Sequence, residues 1–184
     1  MAASRKNHSV HSRKWGGETG QALVEFALVA SIIIIMGLGV IDLSRAIFDK
    51  EVLSDLARTG SNLASRGACD TLTACLTTAA TAVMTQPSDL NMSANGMVII
   101  TAVQANAAGA TSVIGQVSQG SVAGASSQVV VGGNPVLPAT TPAIPPPNQT
   151  IYVTEVFYPF KPITPLGSFM SIVFPTPLYD VAYF

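Results

Sequence analysis

Residues 22–41, ALVEFALVASIIIIMGLGVI, are apolar except for Glu25 and Ser31. At about 1.5 Å of rise per residue, a helix of this length measures about 30 Å, the thickness of the hydrocarbon core of a bilayer. A soluble helix that is apolar on all sides would have to be buried on all sides, and the sequence offers no second long apolar helix to cover it. The run therefore predicts a transmembrane helix in preference to a buried core helix.

The distribution of charge predicts the orientation of this span. Charged residues make up only 10% of the chain, whereas about 25% is usual in a soluble domain. Four basic residues precede the run against one acid, while four bases and four acids cancel over residues 42–66. The positive-inside bias then keeps the N-terminus in the cytoplasm and exports everything after Ile41. A net charge of −1 gives no support to nucleic-acid binding.

The helix is predicted to continue beyond the membrane. Residues 42–66 lack proline and carry apolar side chains at helical spacing, and Gly67 is a natural stop. We expect one helix from about Ala22 to Arg66, within a segment 21–67 that has a transmembrane half and an amphipathic half. The main apolar stripe comprises Phe48, Val52, Leu56 and Leu63, and a second row beside it comprises Ala46, Leu53, Ala57 and Ala64.

Residues 68–184 predict a small strand-rich, loop-rich exported domain, so the fold class is α+β. A short helix is expected within 69–86, closed by Pro87, and strands are expected at 97–105 and 150–158, the second with clean alternation. Within the Gly-, Ser-, Ala- and Val-rich stretch 107–134, residues 128–131 are a possible strand. Prolines make 135–147 a stiff extended connection. The last 26 residues add exposed-looking aromatics: Phe160, Phe169, Phe174, Tyr179, Tyr183 and Phe184.

Catalysis is not predicted. The only histidines, His8 and His11, lie in the basic N-terminal tail, so no Ser-His or Cys-His nucleophile pair is expected in the exported domain. The acids after Arg66 are Asp70, Asp89, Glu155 and Asp180, and they show no metal-ligand spacing. The sequence therefore predicts a protein that is not an enzyme, with no cofactor, no metal and no small-molecule substrate.

Cys69 and Cys75 are separated by five residues. In an exported domain, a close and even pair of cysteines suggests a local disulfide. Two buried free thiols are the alternative, and they are less favoured in an oxidising compartment. Metal binding is disfavoured because the chain has only these two thiols and no histidine outside the tail.

Glu25 lies near the start of the apolar run. A carboxylate inside a lipid-embedded helix costs roughly 2.5–3.5 kcal/mol at the bilayer centre and less near the interface, so such a residue is a functional candidate. Two other interpretations are equally open from the residues alone: Glu25 reaches back to the interface, or the span begins at Phe26.

The N-terminal pattern resembles a known family. A basic leader that ends in glycine, followed by four residues, Glu-Phe and an apolar helix, resembles the class III signal of type IV pilins and pseudopilins. More narrowly, residues 20–28 (GQALVEFAL), 41–46 (IDLSRA) and 57–58 (AR) are similar to the TadE-like family of the tight-adherence (Flp) pilus system. The likeness covers residues 16–67, and residues 158–166 (YPFKPITPL) are similar to a segment typical of that family near the C-terminus.

The resemblance implies a pilin-like fold and a function in pilus assembly. A prepilin peptidase would cut between Gly20 and Gln21 and remove a cytoplasmic leader, residues 1–20. Glu25 and Phe26 would then take part in assembly, with the Glu25 carboxylate paired to the α-amino group of a neighbouring subunit. The expected partners are the membrane, the prepilin peptidase, other pilin or pseudopilin subunits and Tad assembly proteins.

The implied location is the inner membrane, with the C-terminal domain outside the cytoplasm, and possibly the pilus. Two alternatives stay open. In the first, the chain is a single-pass anchored protein whose exported domain binds a periplasmic or surface partner without polymerising. In the second, the apolar run is a conventional secretory signal, which is disfavoured because the run is long and no small-x-small cleavage site follows it closely.

Overall fold

The computed structural model describes residues 18–67, 69–138, 144–165 and 176–184. Helix α1 (Glu18–Arg66) is 49 residues long, and α2 (Leu72–Thr85) and the short α3 (Met92–Asn95) follow it. The described strands are β1 (Met97–Ala105), β2 (Thr111–Gly120), β3 (Val130–Val131), β4 (Asn134–Pro135), β5 (Thr150–Tyr158) and β6 (Leu178–Tyr183). The predicted α+β class, with a long N-terminal helix and a small sheet-rich domain, is confirmed. Residues 1–17 of the predicted leader, Phe169, Phe174 and residues 139–143 of the Pro-rich segment lie outside the described residues.

Four strands form one antiparallel sheet in the order β2-β1-β5-β6. The predicted strands at 97–105 and 150–158 are confirmed and form its centre, and the helix predicted within 69–86 is confirmed as α2. Strands β2 and β6, at the two edges, were not predicted. The possible strand at 128–131 is reduced to β3, which forms a two-residue hairpin with β4.

Helices α1 and α2 cover one face of the sheet, α1 over β5 and β6 and α2 over β1 and β2. The main core lies in this interface. Its buried members on α1 include Ala46, Leu53, Leu56, Ala57 and Ala64.

The predicted core stripe of α1 is therefore wrong at two positions, because Phe48 and Leu63 are 54% and 41% exposed. The row of smaller residues faces the domain instead. Close packing explains the choice: a Cβ atom added to Gly60 would lie 2.7 Å from the Cγ2 atom of Thr154 on β5. Small side chains and glycine let the helix approach the sheet, whereas a phenylalanine there would hold the two apart.

The opposite face of the sheet is covered by the loop between β2 and β3. Val122 packs against Ile99 and Phe157, and Val129 packs against Val103 and Val153. Strand β5 is therefore buried on both faces, so the clean alternation of buried and exposed positions expected for it does not occur.

A buried carboxylate fixes this covering loop. Glu155 on β5 is fully buried and accepts hydrogen bonds from the backbone N–H groups of Gln128 at 2.7 Å and Val129 at 3.2 Å. The Ser127 hydroxyl and the Tyr179 hydroxyl donate to the same carboxylate. Burial, and then the adjacent Glu155 charge, raise the pKa of Tyr179, so its hydroxyl keeps the proton that it donates. A buried carboxylate with this many donors is well satisfied.

The C-terminal aromatics are less exposed than expected. Phe160 is only 5% exposed and belongs to the main core. Tyr179 and Tyr183 are half-buried because β6 pairs with β5 and brings them against the sheet. Phe184 is exposed, as predicted.

Candidate functional site

The first half of α1 projects from the domain with its apolar side chains exposed. From Leu23 to Ile41 the large apolar side chains are at least 52% exposed, apart from Leu38, which is partly buried. An 18-residue window of the helix has a mean hydropathy of 2.5, and none of it is buried. An apolar surface of this extent on a soluble monomer marks a site of contact with a membrane or a partner. By length and composition, α1 is capable of crossing a membrane.

The residues predicted for processing and assembly lie together on the first two turns of this surface. Gly20, Gln21, Glu25 and Phe26 are all exposed, and no neighbouring atom lies within 4 Å of the position that a Cβ atom on Gly20 would take. The Nε2 atom of Gln21 donates a hydrogen bond of 3.1 Å to the Oε1 atom of Glu25, one turn away. The described helix begins at Glu18, so the Gly20–Gln21 peptide bond is helical rather than extended.

A buried acid marks the point where the exposed half of α1 meets the domain. Asp42 is fully buried, and its carboxylate accepts hydrogen bonds from the backbone N–H of Ile163 at 3.0 Å and from that of Thr164 at 3.3 Å. The Thr164 hydroxyl donates to the same carboxylate. Asp42 thereby joins two segments that are about 120 residues apart in the chain, 41–46 and 158–165.

A second link lies two turns further along α1. The Lys50 ammonium group donates a hydrogen bond to the backbone carbonyl of Tyr179. It also pairs with the Asp180 carboxylate at 3.4 Å. Both groups belong to β6, so the edge strand of the sheet is attached to the helix. Lys50 is about half exposed, and such a pair contributes little to stability by itself; its effect is to orient the strand.

Comparison with known proteins identifies the N-terminal part of the chain. Residues 20–62 match the family model TadE, described as TadE-like protein. This segment is TadE-like. The match includes Gly20, Gln21, Glu25, Phe26 and Asp42, together with the buried α1 residues before Ala64. No curated protein and no solved structure matches the chain.

The TadE-like segment confirms the family resemblance and associates the chain with the Tad pilus. The family is pilus-related and pilin-like and is not known for enzymatic activity. Within the part of the chain that the structure describes, no group of three or more His, Cys, Asp or Glu side chains could hold a metal ion. The roles predicted for Gly20, Gln21, Glu25 and Phe26 stay predictions.

The two cysteines lie just after the TadE-like segment. Cys69 and Cys75 have Cα atoms 5.4 Å apart and are joined as a disulfide between the end of α1 and the first turn of α2. A Cβ atom on Gly67 would lie 2.7 Å from the Sγ atom of Cys75, so the glycine that ends α1 also makes room for the bridge. The bridge constrains how α2 folds back against α1. Its formation in the exported protein stays a prediction.

Asp42 is a residue of the TadE-like segment that the sequence did not single out, and its role is testable. We expect Asp42→Ala to speed amide hydrogen exchange in residues 158–165 by at least about tenfold, because two backbone N–H groups lose a charged acceptor. Hydrogen exchange followed by mass spectrometry measures this on the full chain. Asp55→Ala, at an exposed acid on the same helix, is the matched control. Unchanged exchange in the Asp42 variant would contradict the anchoring role.

Proposed function

We propose that this chain is a pseudopilin or minor pilin of a Flp-type (tight-adherence) pilus. In this proposal a prepilin peptidase removes residues 1–20, and residues 22–41 hold the mature subunit in the inner membrane with its N-terminus on the cytoplasmic side. The subunit then joins other pilin subunits and Tad assembly proteins through its N-terminal helix. The role is structural, with no catalysis and no bound cofactor.

One observation carries the proposal: an apolar helix half with no buried residue, which begins with Gly20 and carries Glu25 five positions later, lies in a TadE-like segment. An exposed surface of this kind needs lipid or another apolar helix around it. A subunit that moves from the membrane into a filament meets both environments in turn. Each of them excludes water from the same side chains.

In this proposal, processing takes two steps, because the Gly20–Gln21 peptide bond is helical. Proteases bind their substrates in extended form, so the first turn of α1 must unwind before the Gly20–Gln21 bond can be cut. Glycine favours this step, since it destabilises a helix by about 1 kcal/mol relative to alanine. Without a side chain, it also fits closely against the backbone of a cleft.

Cutting at this bond would create an α-amino group on each subunit, which could pair with the Glu25 carboxylate of a neighbouring subunit. Gln21 would become the N-terminus and carry an α-amino group, one helical turn from the Glu25 carboxylate. The Gln21 side chain contacts Oε1 of Glu25, and Glu25 is exposed, so its carboxylate is accessible to the α-amino group of a neighbouring subunit. In an apolar filament core, such a pair is less costly than either charge alone. It would therefore fix the axial register of one helix against the next.

The two links at Asp42 and Lys50 give the domain a fixed direction relative to the helix. A subunit whose domain is attached in this way transmits the register of its N-terminal helix to its exported surface. This favours a component of an ordered assembly over a flexibly tethered binding domain.

The test is the form and location of the protein in cells that make the pilus. We expect the mature protein to begin at Gln21 and to appear in sheared pili or in the membrane fraction that contains the assembly machinery. N-terminal sequencing and fractionation measure both properties. A protein with an intact N-terminal leader, found in the membrane and in no complex with pilin subunits, would contradict the proposal and favour an anchored binding protein.

A further inference from the structure

A charged pocket lies beside α1, just beyond the exposed apolar half. Its larger part has a volume of about 430 Å³ and is lined by Arg45, Asp49, Asp89 and Tyr158, among others. A smaller part, of about 130 Å³, shares Arg45, Asp49 and Tyr158 and adds Lys161. Side chains from α1, from the loop before α3, from the end of β5 and from the segment after it thus line two adjoining cavities, which share Arg45, Asp49 and Tyr158.

Arg45 is the residue in this pocket that lacks a hydrogen-bond acceptor within the described part of the chain. Its Nη1 atom is buried and has no hydrogen-bond partner among the described residues. A buried guanidinium N–H without an acceptor is costly, whereas an anion that binds there would recover a charge-assisted hydrogen bond. Phosphate is the anion whose geometry the guanidinium group matches best, together with carboxylate. The Lys161 ammonium, on an exposed side chain, supplies a second cation at the same cavity.

The pocket also carries two acids, so its four charges cancel. Burial raises the pKa of Asp49, the Arg45 charge lowers it and the Asp89 charge raises it again. Asp49 and Asp89 therefore repel each other across a partly buried space, which a bound cation would relieve. Burial also raises the pKa of Tyr158, which forms a wall of the pocket. Of these charges, Asp89 lines only the larger part of the pocket and Lys161 only the smaller part. Such a pocket is suited to a ligand that carries both charges.

The depth of the pocket identifies where such a ligand would come from. Arg45 lies four residues beyond Ile41, or about 6 Å further along the helix axis. The headgroup layer of a bilayer extends about 5–7 Å beyond the hydrocarbon core on each side. Lys161 is held near the same level, because the N–H groups of Ile163 and Thr164 bond to Asp42. With residues 22–41 in the membrane, the pocket lies at the level of the headgroup layer.

We propose that this pocket binds the phosphoethanolamine headgroup of a membrane phospholipid. The phosphate accepts hydrogen bonds from Arg45 and Lys161, and the ammonium group donates to Asp49 and Asp89. This inference rests on the proposed insertion of α1 in a membrane. It assigns to the protein a lipid site that would hold the domain at a fixed height above the bilayer until the subunit leaves the membrane.

The headgroup is tested with the full chain in nanodiscs of mixed phosphatidylethanolamine, phosphatidylglycerol and phosphatidylcholine, with native mass spectrometry of the retained lipid. We expect phosphatidylethanolamine to be retained about tenfold over the other two, the effect of one charge-assisted hydrogen bond. Phosphatidylglycerol lacks the cation, and phosphatidylcholine has no N–H to donate. Equal retention of the three lipids would overturn the proposal.

Variants show whether the pocket is responsible. We expect Arg45→Gln and the exposed Lys161→Gln each to lower the retention of phosphatidylethanolamine about tenfold, because the phosphate loses a charged donor. We expect Asp89→Asn to shift the lipid preference toward phosphatidylglycerol, because one negative charge is lost. Arg58→Gln, at an exposed arginine of the same helix outside the pocket, should keep the wild-type preference. Unchanged retention of phosphatidylethanolamine in both Arg45→Gln and Lys161→Gln would overturn the proposal.

Two further measurements complete the test. The first distinguishes a membrane lipid from a soluble phosphate compound as the ligand, and the second tests whether the protein inserts in a membrane. Soluble phosphoethanolamine should compete only weakly, because it lacks the acyl chains that hold a lipid at the site; complete displacement by it or by inorganic phosphate would show a soluble-ligand site and overturn the lipid assignment. Sedimentation with liposomes reports insertion independently. We expect every variant to sediment. Failure of the wild type to sediment with any lipid would contradict membrane insertion itself, and the lipid site with it.

Discussion

A Gly20→Leu variant is expected to accumulate with its leader attached, while the wild type is shortened to begin at Gln21. The leucine acts twice. It stabilises the first turn of α1 by about 0.8–1 kcal/mol relative to glycine, which opposes unwinding. It also places a side chain where the cleft must approach the backbone, and a steric cost of about 3 kcal/mol corresponds to a cleavage rate about a hundredfold lower. Mass measurement of the purified protein reads the result.

The matched control is Gly37→Leu. Gly37 is also exposed on α1, with no atom within 4 Å of its Cβ position, so it receives the same change in side chain and helix propensity away from the cleavage bond. The control should be processed like the wild type. A Gly20→Leu protein of normal mature size would refute this cleavage site, whatever the fate of the filament.

The second large effect is expected at Glu25. Glu25→Ala should still insert, because removing an acid from a lipid-embedded helix lowers the cost of insertion. Association with pilin subunits should fall by a hundredfold or more, since the loss of one partner from a buried charge pair costs about 3–5 kcal/mol. Co-purification from membranes and the amount of protein in sheared pili measure the loss, with processing followed in parallel.

Glu25→Gln separates charge from hydrogen bonding. The glutamine keeps an oxygen that can accept the Gln21 bond but carries no charge, so we expect it to assemble as poorly as the alanine variant. Asp55→Ala, at an exposed acid on the amphipathic half of the same helix, should assemble normally. Normal assembly of Glu25→Gln would contradict the charge pair, and normal assembly of Glu25→Ala would contradict the assembly role of this acid.

Local sequence patterns were sufficient for the central elements and insufficient for the edges of the sheet. Strands β1 and β5 are dense in β-branched and aromatic residues, so their bounds were predicted correctly. Strand β2 reads TSVIGQVSQG, and its polar residues and glycines resemble a loop because an edge strand alternates toward solvent. Strand β6 follows a proline-rich stretch and is defined by its pairing with β5. That pairing spans about 25 residues and has no local signature.

In the candidate site, too, some residues could be predicted from local sequence and others only from tertiary contacts. Glu25 was found because an acid in an apolar run is costly wherever the chain folds. Asp42, one position after that run, looked like an ordinary end of the span, because its partners at Ile163 and Thr164 are about 120 residues away. Arg45 has no local signal of a pocket, because the residues that line the cavities with it, Tyr158, Asp89 and Lys161, are distant in the chain.

The sequence by itself determined the long apolar helix, the acid within it, the TadE-like resemblance and the α+β class. These follow from properties of neighbouring residues: hydropathy summed along one segment, charge on its flanks and spacing from one glycine. Tertiary structure alone decided which face of α1 is buried, where Glu155 and Asp42 find their donors, and which charges share a pocket. Those outcomes depend on how closely helix and sheet approach, and that distance is set jointly by residues far apart in the chain.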